Sequence, residues 1–371
     1  MIYVLAGDAT LADLQGDDGL LTRVGDVWHL QRPLVVWPGA RLRLNPGDVL
    51  EMDPAGGAFL LNFGALSVTG ASLRGGPGGN AGLAGFRPFV LVAGQGTFQA
   101  TDARFDALGY GGPMAFRGVS VLTGGVMQPA TPPIITGSVF RSVGAVSLEG
   151  TDGLVIRNTR FEGATALSVK GGTGLTLAYN RITGPGDRAG LRLSGVLRDV
   201  TITGNVVSGG GRNGIQVDGS VRGLTLVANV VTANRGAGVT VARGTCVVLT
   251  GNIIAQNGAG GVRLVETGGA ALTGNAIIAN GSAGVEVRAQ AGLGPIRLSG
   301  NAIRHNREGL RAAGLGEVAL RANDLALQTP RQFAGDFAPW LAAYLTDGTG
   351  ALVIPAAAGT PLPAPSPCKT E

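Results

Sequence analysis

The chain has 371 residues, 65 of them glycine, with 44% hydrophobic, 14% charged and 5% aromatic residues and a formal charge of +5. That apolar content is too high for a disordered chain, and the glycines lack the three-residue period of collagen, which leaves repeated tight corners as their use. No uninterrupted apolar run is long enough to span a bilayer, the scarcity of aromatic residues counts against stacking of nucleic-acid bases, and two histidines without a metal-spaced cysteine pair exclude a histidine-rich metal site.

Residues 1–30 read as a lead-in that covers the first coil of whatever follows. The start, MIYVLAGDATLADLQ, has neither the basic nor the apolar region of a secretory signal, so an exported form would need a signal from outside this sequence. From Val27, VWHLQRPLVVWPGARLRLNPGDVLEMD supplies strand runs broken at Pro38-Gly39 and Pro46-Gly47, both turn signals. GAFLLNFGALSVTGASLRGG (57–76) alternates cleanly and suggests two coils. The Gly-rich GGPGGNAGLAG (75–85) reads as a protruding loop, strands resume at Phe86, and residues 124–133, with three prolines, form a second loop. Near Pro339 a short helix is expected as part of a C-terminal cap over 326–355. Residues 356–371, rich in Pro and Ala, read as an extended, mobile tail.

Between the two loops and the cap one pattern recurs: an alternating apolar-polar run, an Asn, then a second run led by Gly. Asn158, Asn180, Asn205, Asn229, Asn252, Asn275, Asn301 and Asn323 follow one another at intervals of 22, 25, 24, 23, 23, 26 and 22 residues. A unit of this kind holds two or three strand-length runs and cannot bury its apolar face alone, whereas stacked copies can. GIQV, GVTV, GVRL and GVEV, at 214–217, 238–241, 261–264 and 284–287, alternate so that Ile, Val and Leu point one way. Parallel stacking turns these into continuous columns and sets the Asn side chains above one another at a corner, where Asn tolerates a left-handed backbone. The expected fold is all-β: a single-stranded, right-handed parallel β-helix of roughly 22–26-residue coils spanning 31–325, capped at both ends. The antiparallel blades of a propeller and the Leu-x-x-Leu-x-Leu frame of a leucine-rich repeat are both missing. Cys246, in TCVVLT, reads as a buried thiol; pairing with Cys368 in the tail stays open as the alternative, without support in the spacing.

WHLQRPLVVWPGARLRL, GAFLLNFGALSVTGASL and FRPFVLV followed by DARFDALGY and GVSV resemble stretches of the periplasmic mannuronan C5-epimerases, alginate-modifying β-helix enzymes. The resemblance covers about residues 25–325 and implies an exported, periplasmic or secreted protein that holds an acidic polysaccharide along its parallel-strand face. That family carries an Asp-Pro-His-Asp-Arg-Ser run with a catalytic His, and an Arg on the next coil that neutralises the uronate carboxylate. The matching coil here reads ALSVKGGTG (166–174), with Ser168 in place of the Asp and Lys170 in place of the His. The next reads GLRLSG (190–195), with Gly195 where the Arg belongs and Arg192 three residues before it. The family's catalytic set cannot be carried over at any position.

Epimerisation or β-elimination at a uronate starts with removal of the C5 proton, so a site needs a cation against the carboxylate, a base on one face and an acid. Outward positions of the repeated strand offer two rows: Ser168, Arg192, Gln216, Thr240, Arg263, Glu286 and Arg311, and two residues further Lys170, Ser194, Asp218, Ala242, Val265 and Arg288. Adjacent coils lie about 4.8 Å apart, which places Lys170, Arg192 and Asp218 within reach of one sugar. In a minimal catalytic set Arg192 is the carboxylate clamp and Lys170 the base, with Asp218 or Asp187 as partner. Ser168, Asp187, Gln216, Arg263, Glu286, Arg288 and Arg311 are the candidate sugar-binding residues. The plainer reading of both rows is a solvated polar face, with Glu286 ion-paired to Arg263 and Arg311. His305 falls at a corner shared with Gln256 and Ala279, and His29 packs near the N-terminal cap.

Three readings stand side by side: a β-helix that binds an acidic exopolysaccharide, an active uronate epimerase or polysaccharide lyase with a rearranged site, and a structural or adhesive β-helix. The formal charge and a pI near 9.7 suit a polyuronate partner, although a surplus of this size also fits ordinary solvated surface. No cofactor, metal, nucleic-acid partner or membrane insertion is expected.

Overall fold

The computed structural model describes residues 1–356 except 17–18, 83, 111–112, 124–130, 291 and 347. Residues 124–130 of the second loop and the tail from 357 onward, with Cys368, lie outside the described residues. The chain divides into two compact units, Met1–Thr176 with Asn180–Pro185, and Leu177–Tyr179 with Gly186–Glu371.

In the first unit each coil has three short strands, and each strand pairs in parallel with its equivalent in the next coil. Ile2–Val4, Leu34–Val36, Leu60–Asn62, Val90–Ala93, Gly118–Leu122, Ala145–Glu149 and the start of Leu167–Ala178 stack as the front strands. Asp8–Thr10, Arg41–Leu44, Ala65–Thr69, Thr97–Thr101, Ile134–Thr136 and Val155–Arg157 stack as the second strands. Val27–Leu30, Val49–Met52, Ser72–Gly75, Arg104–Asp106, Val139–Arg141, Arg160–Glu162 and Arg181–Thr183 form the third set. Residues 57–76 therefore build one coil, not two, because every coil needs three runs to close. Residues 1–30, expected only as a lead-in, already supply strands to the first coil. The covering role falls to Leu21–Val24, which pairs antiparallel with Val27–Leu30 at the sheet edge and so interrupts the parallel template.

The second unit repeats the plan. Its front strands are the start of Leu191–Thr203, then Ile215–Val217, Val239–Ala242, Val262–Val265, Ala283–Arg288, Glu308–Ala313 and Arg331–Gly335. Inward columns are continuous and sealed: Ile215, Val239, Val262, Val285 and Leu310 on the front strands, and Val207, Val231, Ile254, Ile277 and Ile303 on the third, have no solvent exposure. Each such side chain contributes about 1.5–3 kcal/mol on burial, and no single coil can supply that environment. This is the right-handed parallel β-helix that the repeats predict.

The Asn column forms, with two changes of detail. Asn205, Asn229, Asn252, Asn275, Asn301 and Asn323 are buried, and the amide oxygens of the last five each accept from the backbone N–H and side-chain amide of the Asn one coil earlier, at 2.8–3.1 Å. Asn180 heads the equivalent position in the first unit, where its oxygen accepts from Thr159 N–H. Asn158 does not join: it is exposed, and Thr159 occupies the ladder position. The left-handed residue is also not the Asn but the one before it, as at Ala228, Gly251, Gly274, Gly300 and Ala322, with φ between 49° and 62°. The turn aims the following Asn inward, where its amide must be paired.

A second amide column, unread in the sequence, runs five residues further on through Asn234, Asn257, Asn280 and Asn306. The next front strand opens with Gly because the core column and the following coil leave no room for a side chain: a Cβ on Gly261 would lie 2.4 Å from Ile277 Cγ2 and 2.6 Å from the Gly284 carbonyl oxygen. His305, Gln256 and Ala279 share the left-handed corner just before this column, as their spacing implies.

At the C-terminal end a 3₁₀ turn, Ala338–Trp340, runs into helix Leu341–Thr346, where Tyr344 is buried and donates its hydroxyl to the Asn323 carbonyl at 2.8 Å. Ala351–Ile354 then pairs antiparallel with Val318–Arg321. Cys246 differs from its expected place: it is half-buried at a left-handed bend with φ 57°, while Val247 and Leu249 point inward, and it is not a free thiol. No helix among the described residues is long and apolar enough to cross a membrane.

Candidate functional site

The outward row expected on the front strands exists in the second unit, residue for residue. Arg192 is in register with Gln216, Gln216 with Thr240, Thr240 with Arg263, Arg263 with Glu286, and Glu286 with Arg311. Two residues along, Ala242, Val265 and Arg288 follow the same register. Strand alternation places these side chains on the outer surface, because their neighbours at Ile215, Val239, Val262 and Val285 fill the core.

Asp218 is the hub at one end of the row. Its Oδ2 accepts from Arg192 Nε at 3.0 Å, Arg192 Nη2 at 2.7 Å and Gln216 Nε2 at 3.2 Å. Its backbone carbonyl accepts from Arg243 Nη2 at 2.6 Å. Asp218 Oδ1 and Thr240 Oγ1 are sealed from solvent and without a partner among the described residues. Arg192 and Asp218 are thus brought together as expected. Asp187 is not: it lies in an exposed turn, outside the sheet, and makes no ion pair among the described residues.

Glu286 is the second hub. Although it points outward it is only 3% exposed, because Arg263 Nε at 2.6 Å and Arg288 Nε at 2.7 Å close over its carboxylate. Burial alone would raise this carboxyl; the hydrogen bonds from Arg263 and Arg288, reinforced by their charge, outweigh it and hold the group below its ordinary value. Arg311, expected beside Glu286, instead pairs with Glu308 on its own strand, Nε to Oε2 at 2.5 Å and Nη2 to Oε1 at 2.8 Å. A partner three residues away on the same strand holds both donors at once, which Glu286, already saturated, cannot offer.

Lys170 and Ser168 belong to the first unit. Ser168 is in register with Ser147 and Lys170 with Glu149, and Lys170 Nζ lies 2.6 Å from Glu149 Oε1. The ammonium is therefore engaged by a carboxylate on a half-exposed surface, not isolated in the dry setting that a lysine base requires. Glu149, Arg243 and Glu308 were missed in the sequence. Glu149 was within reach of the spacing, since VSLE (146–149) precedes LSVK (167–170) by one coil.

A family model described as the right-handed β-helix region matches residues 90–248 and 189–325. The chain belongs to this β-helix family. Among solved structures, this family member is similar to the periplasmic alginate epimerase AlgG, with a TM-score of 0.72 at 17% identity over 90% of this chain and 83% of that one. One mutant of AlgG aligns with a TM-score of 0.72 at 18% identity, and another with 0.61 at 20%, each over 83% of its own length. At these identities the likeness speaks to the shared β-helix fold. No curated protein matches the chain.

Proposed function

We propose that this β-helix binds an acidic polysaccharide, a polyuronate, along the outward row of front strands in its second unit. The observation that carries the reading is the row itself: Arg192, Gln216, Thr240, Arg263, Glu286 and Arg311 repeat in register, one coil apart, with Arg288 and Arg243 beside them. A linear array of cations and hydrogen-bonding groups at a fixed spacing matches a linear polymer of anionic sugars. Each guanidinium has five N–H donors, and Arg192 spends two of its groups on Asp218, so donors remain for a sugar carboxylate. The acidic partners hold the arginines in place rather than cancel them. Support from likeness is limited to the fold shared with a periplasmic alginate epimerase, alginate being such a polymer, and a periplasmic or secreted location follows on the same footing.

A second reading is an epimerase or lyase with a rearranged site, for which the sequence offers Lys170 as the base. Engagement of Lys170 by Glu149 counts against that role. Binding to polymannuronate that weakens with added salt, and falls further in Arg192→Ala and Arg263→Ala, is the expected result. No binding to any polyuronate would leave a structural or adhesive role. Incubation in D₂O with polymannuronate, followed by NMR at C5, separates the readings: exchange or an unsaturated product that is lost in Lys170→Ala would establish catalysis.

A further inference from the structure

We infer that the far end of the outward row carries an oxyanion subsite, built by Arg307, Arg311 and Arg331 around Glu308, that takes a carboxylate of the bound polyuronate. The uronate part of this inference rests on the function proposed above; the anion part does not.

Three consecutive coils supply the subsite. Arg307 precedes strand Glu308–Ala313, and its N–H donates to the carbonyl of Ser282 in the coil before. Arg331, after Pro330, is in register with Glu308 from the coil after. Together with Ser282 and Arg311 they line a basin of about 380 Å³, at the small end of the range for ligand pockets, about 300–1,000 Å³.

The charge count is lopsided. Glu308 is buried, and both of its oxygens are consumed by Arg311. Among the described residues Arg307 and Arg331 make no ion pair, and both are exposed. One carboxylate thus faces three guanidiniums, leaving two positive charges without a counter-ion on the wall of a concave site. Glu308 is a positioning residue: it fixes the Arg311 fork so that its remaining N–H groups face the basin. Planar, bidentate donors of this kind suit carboxylate, sulfate and phosphate groups.

The row also stops here. The position after Arg311 in register is Ala334, which is 2% exposed although it occupies an outward site. A polymer lying on the row therefore meets covered surface beyond Arg311, and the basin is where its last carboxylate falls.

The test uses calorimetric titration of the whole chain with two probes, inorganic sulfate and a mannuronate trimer. Both are expected to bind, and the double variant Arg307→Gln, Arg331→Gln, with both changes at the surface and the melting temperature unchanged, is expected to weaken both at least tenfold. Glu308→Gln should weaken both by a smaller factor. Sulfate binding that depends on the two arginines, without any trimer binding, would keep the oxyanion subsite and remove the polyuronate reading. Trimer binding that is insensitive to Arg307 and Arg331 but lost in Arg192→Ala and Arg263→Ala would overturn the subsite and leave the proposed function. Failure of the wild type to bind either probe would also overturn it.

Discussion

The two units build the same coil with different adhesives. In the first, outer positions of the third strands read His29, Glu51, Arg74, Asp106, Arg141 and Glu162 from coil to coil, in register throughout. From Glu51 onward the signs alternate, and His29 Nδ1 to Glu51 at 3.3 Å, Arg74 Nε to Glu51 at 2.8 Å and Arg141 Nε to Glu162 at 3.7 Å link neighbouring coils. Inside, Phe105, Phe140 and Phe161 stack with rings 4.6 and 5.2 Å apart and nearly parallel. In the second unit the equivalent outer positions are Ser208, Thr232, Ala255, Ile278 and Arg304, of which only Arg304 makes an ion pair, with Asp324, among the described residues, and two buried amide columns join the coils. The front strands differ as well. Their outward row is apolar and then hydroxylic in the first unit, Tyr3, Val35, Leu61, Leu91, Ser120, Ser147 and Ser168, and charged in the second. Where buried amides and apolar columns secure the coils, the outward face of the front strands carries the arginines.

Four measurements press on this contrast. Phe140→Ala empties the middle of the aromatic stack and should cost about 3–5 kcal/mol in denaturant unfolding; a loss under 1 kcal/mol would show that the stack is not what joins those coils. Asn252→Ala removes the acceptor of Asn229 N–H and a donor to the Leu226 carbonyl. With buried groups left unpaired it should cost about 2–4 kcal/mol. Trp340 reports unfolding in the second unit once Trp28 and Trp37, both in the first, are replaced by Phe.

Glu286→Gln should cost about 1–2 kcal/mol, less than a fully buried pair because Arg263 and Arg288 stay partly solvated. Its pH dependence is specific. The carboxyl is held below its ordinary value in the folded chain, so its stabilisation is complete above the unfolded value near 4.5 and is lost as pH falls through the folded value. The variant should flatten that acid limb, and an unchanged limb would assign it to other carboxylates. The mildest change is Arg74→Ala on the half-exposed ladder of the first unit, expected to cost below about 1 kcal/mol and to vanish at high salt.

How far the chain could be read in advance varies by residue, for physical reasons. Strand alternation has a period of two and each coil repeats its neighbour, so the row from Arg192 to Arg311 followed from aligned repeats alone. Asn158 misled because an Asn and the left-handed residue before a ladder position look alike in sequence, and only the turn shows that Thr159 points inward. Cys246 misled in the same way, since the bend it occupies shifts the alternation by one residue. Arg311 lies on the expected face but binds Glu308 and not Glu286, because a long side chain chooses among several acids within reach, and that choice depends on which is already saturated.

Repeat length, alternation and glycine placement by themselves determined a parallel β-helix, since no other arrangement buries so many short apolar runs of equal spacing while pairing every backbone group. Only the folded chain decided which acids brace which arginines, where the outward row is covered, and that two exposed arginines from separate coils line one basin with a buried glutamate. Those facts depend on side chains from different coils sharing one space, and local sequence carries no record of that meeting.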